Sequence, residues 1–174
     1  MTDPAPVTWP PAPIRTERLV LRQPAPRDRP AFVDLFSSPE VGTYVGGASD
    51  RDELERSMPE VPGRRPGVFV ADLDDTMVGA VLLERRPPAQ VRPEAGRFEL
   101  GYLFLPRAWG RGYALEACAA VLEWFAAEAP GEPVVLCTQS ANAASMRLAA
   151  RLGFTELERF EQFGAEQWLG VRVG

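Results

Sequence analysis

Residues 98–125 read FELGYLFLPRAWGRGYALEACAAVLEWF, and the fold turns on this stretch. An apolar run from Phe98 to Leu105 predicts a strand. Trp109-Gly110-Arg111-Gly112-Tyr113-Ala114 is a glycine-rich turn, and from Arg111 to Glu128 the spacing of Leu115, Cys118, Leu122 and Phe125 predicts an amphipathic helix. The first N–H groups of a helix have no intrahelical acceptor, and the helix dipole is positive there. A strand–turn–helix junction with two glycines is therefore suited to an anion. The Arg111 guanidinium adds a charge whose planar donors match phosphate. These residues point to a phosphate-bearing cofactor at the turn.

Outward from this junction, 174 residues make one domain with a substantial core, and 45% hydrophobic with 25% charged residues is the composition of a soluble globular protein. No apolar run approaches the roughly 20 residues of a bilayer span. The N-terminus, MTDPAPVTWPPAPIR, lacks the basic start and apolar core of a signal peptide, so a cytoplasmic protein with no membrane partner is expected. A net charge of −5 argues against broad nucleic-acid binding. All 19 basic residues are Arg, and Lys and His are absent. A His base, a Lys Schiff base and a His-containing zinc site are thereby excluded, and no metal is expected. Cys118 and Cys137 make neither a disulfide framework nor a metal cluster, and read as buried small hydrophobes.

Residues 1–13 are proline-rich and read as an extended or mobile arm, leaving one domain over residues 14–174. Arg15–Arg22 alternates apolar and polar side chains as a half-buried strand does. A helix is expected from about Asp28 to Phe36 and another from Ser49 onward, with Gly42, Gly46 and Gly47 in a mobile loop between them. Val68–Leu73 and Met77–Leu83 flank Asp74-Asp75 as a hairpin, and Arg86–Gly96, with three prolines, reads as a loop. Val134–Thr138 predicts a strand, Asn142–Leu152 a helix closed by Gly153, and Phe154–Phe160 and Glu166–Val173 the last two strands. No repeat or linker interrupts the pattern.

A dinucleotide-binding fold would open on a parallel strand and carry a third glycine at its turn. This turn lacks that glycine and follows at least three strands, while the absence of Lys rules out a Walker loop. The run ELGYLFLPRAWGRGYALEA instead resembles the acetyl-CoA-binding motif of the GNAT superfamily of N-acetyltransferases. Thr16–Arg22, Trp109–Ala114, and Asn142-Ala143-Ala144-Ser145 followed by Arg151-Leu152-Gly153-Phe154 are similar to its ribosomal-protein-alanine N-acetyltransferase-like branch. These segments span most of residues 14–160 in the family's order. The fold implied is α/β (α+β): one GNAT-like domain with a mixed, mostly antiparallel twisted sheet of about seven strands. About four helices flank that sheet, and a strand pair splays apart at the cofactor cleft.

By this resemblance the amides of Arg111, Gly112, Tyr113 and Ala114 would cradle the pyrophosphate of acetyl-CoA. The family pattern, Gln/Arg-x-x-Gly-x-Gly/Ala, aligned here places Trp109 where a polar side chain is usual, then Gly112 and Ala114; Arg107-x-x-Gly110-x-Gly112 fits it by letter but would put the turn inside the strand end. The backbone of Leu103 and Phe104 would hold the pantetheine arm where their strand splays from Val134–Thr138. Asn142 would meet the pantetheine or, with no cofactor at all, cap its helix. Many relatives carry a Tyr seven residues after that Asn, as the acid for the departing thiolate; here the position is Ala149. Ser145 would serve instead, or would simply bond back to a helix carbonyl.

The reaction implied is direct attack of a primary amine, from a protein N-terminus or a small molecule, on the acetyl thioester. The Phe104 N–H would face the developing oxyanion. Glu99 and Glu161 are the candidate bases. An ungapped strand puts Glu99 on the face away from Phe98 and Leu100, so a bulge would decide its direction. The alternative for each is a solvated strand charge, and a water chain carrying the proton would make both dispensable. Trp124 and Trp168 read as packing, and Tyr44 with its neighbouring glycines would line the acceptor side. The alternative is a non-catalytic CoA-binding sensor or interaction module on the same fold. A monomer and a homodimer are both compatible with the sequence.

Overall fold

The computed structural model describes residues 7–87 and 98–174. The first half of the proline-rich arm, and residues 88–96 of the expected loop, lie outside them. The chain runs β1 (Ile14–Arg15), β2 (Val20–Arg22), α1 (Arg29–Ser37), α2 (Pro39–Gly42), α3 (Arg51–Ser57), β3 (Val68–Leu73) and β4 (Thr76–Arg85). It continues as β5 (Phe98–Phe104), α4 (Tyr113–Glu128), β6 (Val134–Gln139), α5 (Ala143–Arg151), β7 (Thr155–Gln162) and β8 (Ala165–Arg172). The strands form one sheet in the order β1-β2-β3-β4-β5-β6-β8-β7, antiparallel throughout except for β5 and β6. The mixed α/β architecture matches the expectation, with eight strands and five helices among the described residues rather than seven and four.

Both extra elements have local causes. The expected strand Arg15–Arg22 is broken by a turn in which Thr16 N–H donates to the Leu19 carbonyl (2.9 Å) and Leu19 N–H donates to Thr16 Oγ1 (3.0 Å). The helix read to Phe36 is followed by a further turn. Ser38 precedes Pro39, which forces it to extended backbone, and its Oγ then accepts from Val41 N–H at 3.3 Å. Asp50 caps α3 by accepting from Glu53 N–H at 2.9 Å.

Strand alternation sends each residue set to a different layer. Phe69, Val81, Leu83 and Leu100 face α4, which returns Val121, Leu122 and Phe125 to them. Val70, Met77 and Ala80 face Phe32 and Leu35 of α1 on the other side. The arm is tied to this core: Trp9 lies edge-on to Phe69 and Trp124, with ring centroids 5.2 and 6.4 Å apart. Trp124 and Trp168 are packing residues, as read from the sequence. Asp28 and Asp72 are buried, and Arg22 bonds to both, joining β2, β3 and the entry to α1.

Two features fix the elements that meet at the cleft. Gly79 of β4 is crossed by Phe104: a Cβ there would lie 2.5 Å from the Phe104 ring and 2.7 Å from the Leu103 carbonyl oxygen. The β1–β2 turn clamps the start of α4. Glu116 accepts from Thr16 Oγ1 (2.7 Å), Arg18 N–H (2.8 Å) and Arg18 Nε (2.7 Å), while Arg18 Nη1 donates to the Arg111 carbonyl at 2.8 Å. The Arg18 guanidinium also stacks 4.5 Å from the Tyr113 ring centroid. Burial pushes the Glu116 carboxyl up, but these donors outweigh it and hold the group below its ordinary range.

Gly79→Ala is expected to destabilise the fold by about 1–3 kcal/mol through overpacking, read as a lower midpoint of urea unfolding. For Glu116 the folded-state pKa is lowered, so its stabilisation is present above the unfolded-state value and is lost as pH falls through the folded one. Glu116→Gln is therefore expected to lower the melting temperature at pH 7 and to narrow the gap to wild type below pH 4, measured by thermal unfolding across pH.

Candidate active site

The cleft exists because β5 and β6 each follow a different neighbour. β5 pairs with β4 without a register shift from Phe98↔Arg85 to Phe104↔Gly79, and β6 pairs with β8 along its whole length. Between them only Phe98↔Val134 and Glu99↔Val135 are joined. Beyond that point the two strands part and line a cleft of about 820 Å³. Leu105 N–H donates to the Val78 carbonyl at 2.9 Å. By the alternation of an antiparallel ladder, the Leu103 backbone then serves β4, and the Phe104 N–H faces the parting, where β6 no longer pairs with it. The Phe104 carbonyl is closed off by the Trp109 indole N–H, which donates to it at 2.8 Å. Trp109 thus spends its one donor on the strand, and 49% of the residue is exposed.

The glycine turn lies at the mouth of the cleft. Gly110 and Gly112 have φ of 73° and 81°, a region that glycine enters without strain. Gly112 is the N-cap of α4 and supplies no side-chain acceptor, so the first N–H groups of α4, at Tyr113 and Ala114, are uncapped toward the cleft they line. Arg111 is exposed and is not among the lining residues; its carbonyl is the group held by Arg18.

α5 forms the opposite wall. Asn142 is its N-cap, with Oδ1 accepting from Ser145 N–H at 3.2 Å, and the residue also lines the cleft. Ser145 does not bond back to a carbonyl. Its Oγ lies 2.5 Å from the Tyr102 hydroxyl, so the two side chains bridge α5 and β5. Burial pushes the Tyr102 phenol up to about 12, against a smaller opposing effect of Ser145. Ala149 is wholly buried. Arg147 and Arg151, one helical turn apart on α5, line the cleft as well, as do Glu40, Tyr44 and Val45 from the segment around α2. The Tyr44 carbonyl accepts from Gln139 Nε2 at 3.3 Å, closing that side across the end of β6.

Neither candidate base lines the cleft. The unshifted register leaves Glu99 on the face away from α4, 3.3 Å from Arg86 Nε. Burial raises the Glu99 carboxyl above its usual range despite the Arg86 charge. Glu161 is exposed near the tip of the β7–β8 hairpin, opposite Glu166. Cys118 is buried in the core, where burial pushes its thiol up; Cys137 departs from expectation, being half-buried on the cleft wall. Among the described residues, no group of three His, Cys, Asp or Glu side chains could hold a metal, and no helix is long and apolar enough to cross a membrane.

Tyr102, Arg147, Arg151 and Glu40 line the cleft beyond the site residues expected from the sequence. Tyr102 had a signal: it alternates with Leu100 and Phe104, which puts it on the α4 face of the strand beside the splay. The i, i+4 spacing of the two arginines was likewise legible.

The same fold recurs in known proteins. The chain is 30% identical over 141 residues to the protein YkkB of Bacillus subtilis (strain 168), covering 79% of this chain and 82% of that protein. A GNAT-family acetyltransferase structure from Bacillus anthracis superposes with a TM-score of 0.75 at 19% identity, covering 93% of this chain and 98% of the other. A RimL ribosomal L7/L12 alpha-N-protein acetyltransferase, solved with coenzyme A, superposes with a TM-score of 0.73 at 18% identity, covering 93% and 98%. The family model described as acetyltransferase (GNAT) domain matches residues 18–155, which include Arg18 and Glu116 of the clamp, the glycine turn, the parted strands and α5, and the chain accordingly belongs to the GNAT acetyltransferases.

Proposed function

We propose that this protein is an acetyl-CoA-dependent N-acetyltransferase, in which a primary amine attacks the thioester directly. One observation carries this reading: β5 and β6 part after Glu99 and Val135, so that the Phe104 N–H and the uncapped start of α4 open onto one cleft. The amides of Gly112, Tyr113 and Ala114 suit a pyrophosphate, with Arg111 adding charge at the mouth and Arg147 and Arg151 along the wall. The parted edge at Phe104 suits an amide-bearing arm, beside Asn142 and Leu103.

In this reading the Phe104 N–H stabilises negative charge on the carbonyl oxygen, and Ser145 faces the departing sulfur. The amine must be neutral to attack. At pH 7 deprotonation costs roughly 4–5 kcal/mol for a lysine-like amine and about 1 kcal/mol for an α-amino group. Because Glu99 and Glu161 lie off the cleft wall, either could receive a proton only through water. An α-amino acceptor, which needs the weaker base, therefore fits this site better than a lysine-like one. Of the two carboxylates, Glu99 is the stronger candidate, since burial makes it the better proton acceptor.

Melting temperature with acetyl-CoA, CoA, ATP and NAD tests the ligand. A ligand at 100 times its Kd stabilises by about 2.7 kcal/mol, several degrees for a domain of this size. A shift with acetyl-CoA and CoA alone is expected; none at millimolar ligand overturns the reading. Ser145→Ala is expected to keep that shift while release of CoA to an α-amino acceptor falls about a hundredfold. Full turnover in the variant removes Ser145 from the reaction.

A further inference from the structure

The contact between β5 and α5 assigns a function to a side chain outside the glycine turn. We infer that Tyr102 is a positioning residue: its hydroxyl donates to Ser145 Oγ, and this leaves the Ser145 hydrogen free to bond the sulfur of CoA in the cleft. The inference rests on the acetyl-CoA reading above and adds to it the group that aims Ser145.

Hydrogen counting leads there. Two hydroxyls bring two O–H donors to a single mutual contact, 2.5 Å long. One hydrogen is used in that contact and the other is left over. A phenol is the more acidic donor and the poorer acceptor, so the mutual bond runs from Tyr102 to Ser145. The spare hydrogen is then the serine's, and both residues line the cleft. A hydroxyl that accepts from a phenol is also a stronger donor itself. Without the phenol, a serine in the first turn of a helix has the ordinary alternative of bonding back to a carbonyl. The phenol missing from α5 at Ala149 is thus supplied from the facing strand.

Magnitudes decide what this pair does during the reaction. The C–N bond forms, the C–S bond breaks, and its electron pair goes to sulfur. A proton does not pass fully from a phenol near 12 to a thiolate whose acid lies near 8.5. Ser145 therefore holds the sulfur by a hydrogen bond and keeps its proton. The proton that ends on the thiol is the one that the attacking nitrogen loses. A hydrogen bond to a charged partner then favours bound thiolate over bound thiol by one to two pH units, about tenfold to a hundredfold.

The test needs no acceptor. Kd values for CoA and for desulfo-CoA, measured by calorimetry at pH 7 and pH 9.5, give a ratio that isolates the sulfur. The other titratable or charged side chains that line the cleft, Glu40, Tyr44, Tyr113, Cys137, Arg147 and Arg151, face both ligands alike. In wild type the preference for CoA over desulfo-CoA is expected to rise roughly tenfold over that interval. Tyr102→Phe keeps the ring and removes only the hydroxyl; it and Ser145→Ala are each expected to abolish the rise, and the double variant to add nothing further. A rise that survives in Tyr102→Phe overturns the inference and leaves the acetyl-CoA reading standing, as does wild type that binds CoA with no rise. Failure of wild type to bind CoA at all overturns both. Melting temperatures of the three variants, taken alongside, confirm that each is folded.

Discussion

A strand held along its whole length by one neighbour cannot also follow another that twists away with a different partner. β5 stays with β4 from Phe98 to Phe104, β6 stays with β8 from Val134 to Gln139, and only two residue pairs join β5 to β6. Everything in the site depends on that division of loyalties. It leaves backbone groups of the sheet centre unclaimed by any ladder, in a place where α4 and α5 already begin. An unpaired sheet edge is ordinarily a liability for a protein. Here it lies between two helices and faces a cleft instead of another chain.

Electrostatics are arranged around the same opening. With Arg as the only basic residue type, every cation is a planar fork, good at holding two acceptors at once. Arg18 uses that geometry structurally, gripping Glu116 and the Arg111 carbonyl together, so the glycine turn is held from outside the cleft while its amides stay free inside it. The turn obtains its flexibility from Gly110 and Gly112 and its fixed position from residues almost a hundred places earlier in the chain.

Most of the architecture was legible in local patterns. Alternation, the Asp74-Asp75 hairpin, the α4 stripe and the Asn142 and Gly153 limits of α5 all matched elements within a few residues. The break at Ser38-Pro39 is readable from the pre-proline rule, whereas the alternation of Arg15–Arg22 does not reveal the turn that Thr16 makes with its own side chain. The site was legible where it depends on backbone conformation, as at Gly112, and at Asn142, whose cap bond is local. Where a role depends on which face of the sheet a residue meets, the reading was open: Glu99 had two possible directions, and Glu161 turned out to sit on a solvent-facing hairpin.

The sequence by itself determined the strand–glycine turn–helix junction, the exclusion of His and Lys chemistry, and membership in a fold whose motif order it carries. Those are properties of neighbouring residues, since dihedral preference, periodicity and the inventory of side-chain types need no knowledge of the rest of the chain. Only the tertiary structure decided that Trp109 spends its indole N–H on Phe104, that Glu99 pairs with Arg86 away from the cleft, and that Tyr102 meets Ser145. The Tyr102–Ser145 contact joins residues 43 positions apart. Its length is set by where α5 packs against the parted strands, and packing is a property of the whole core.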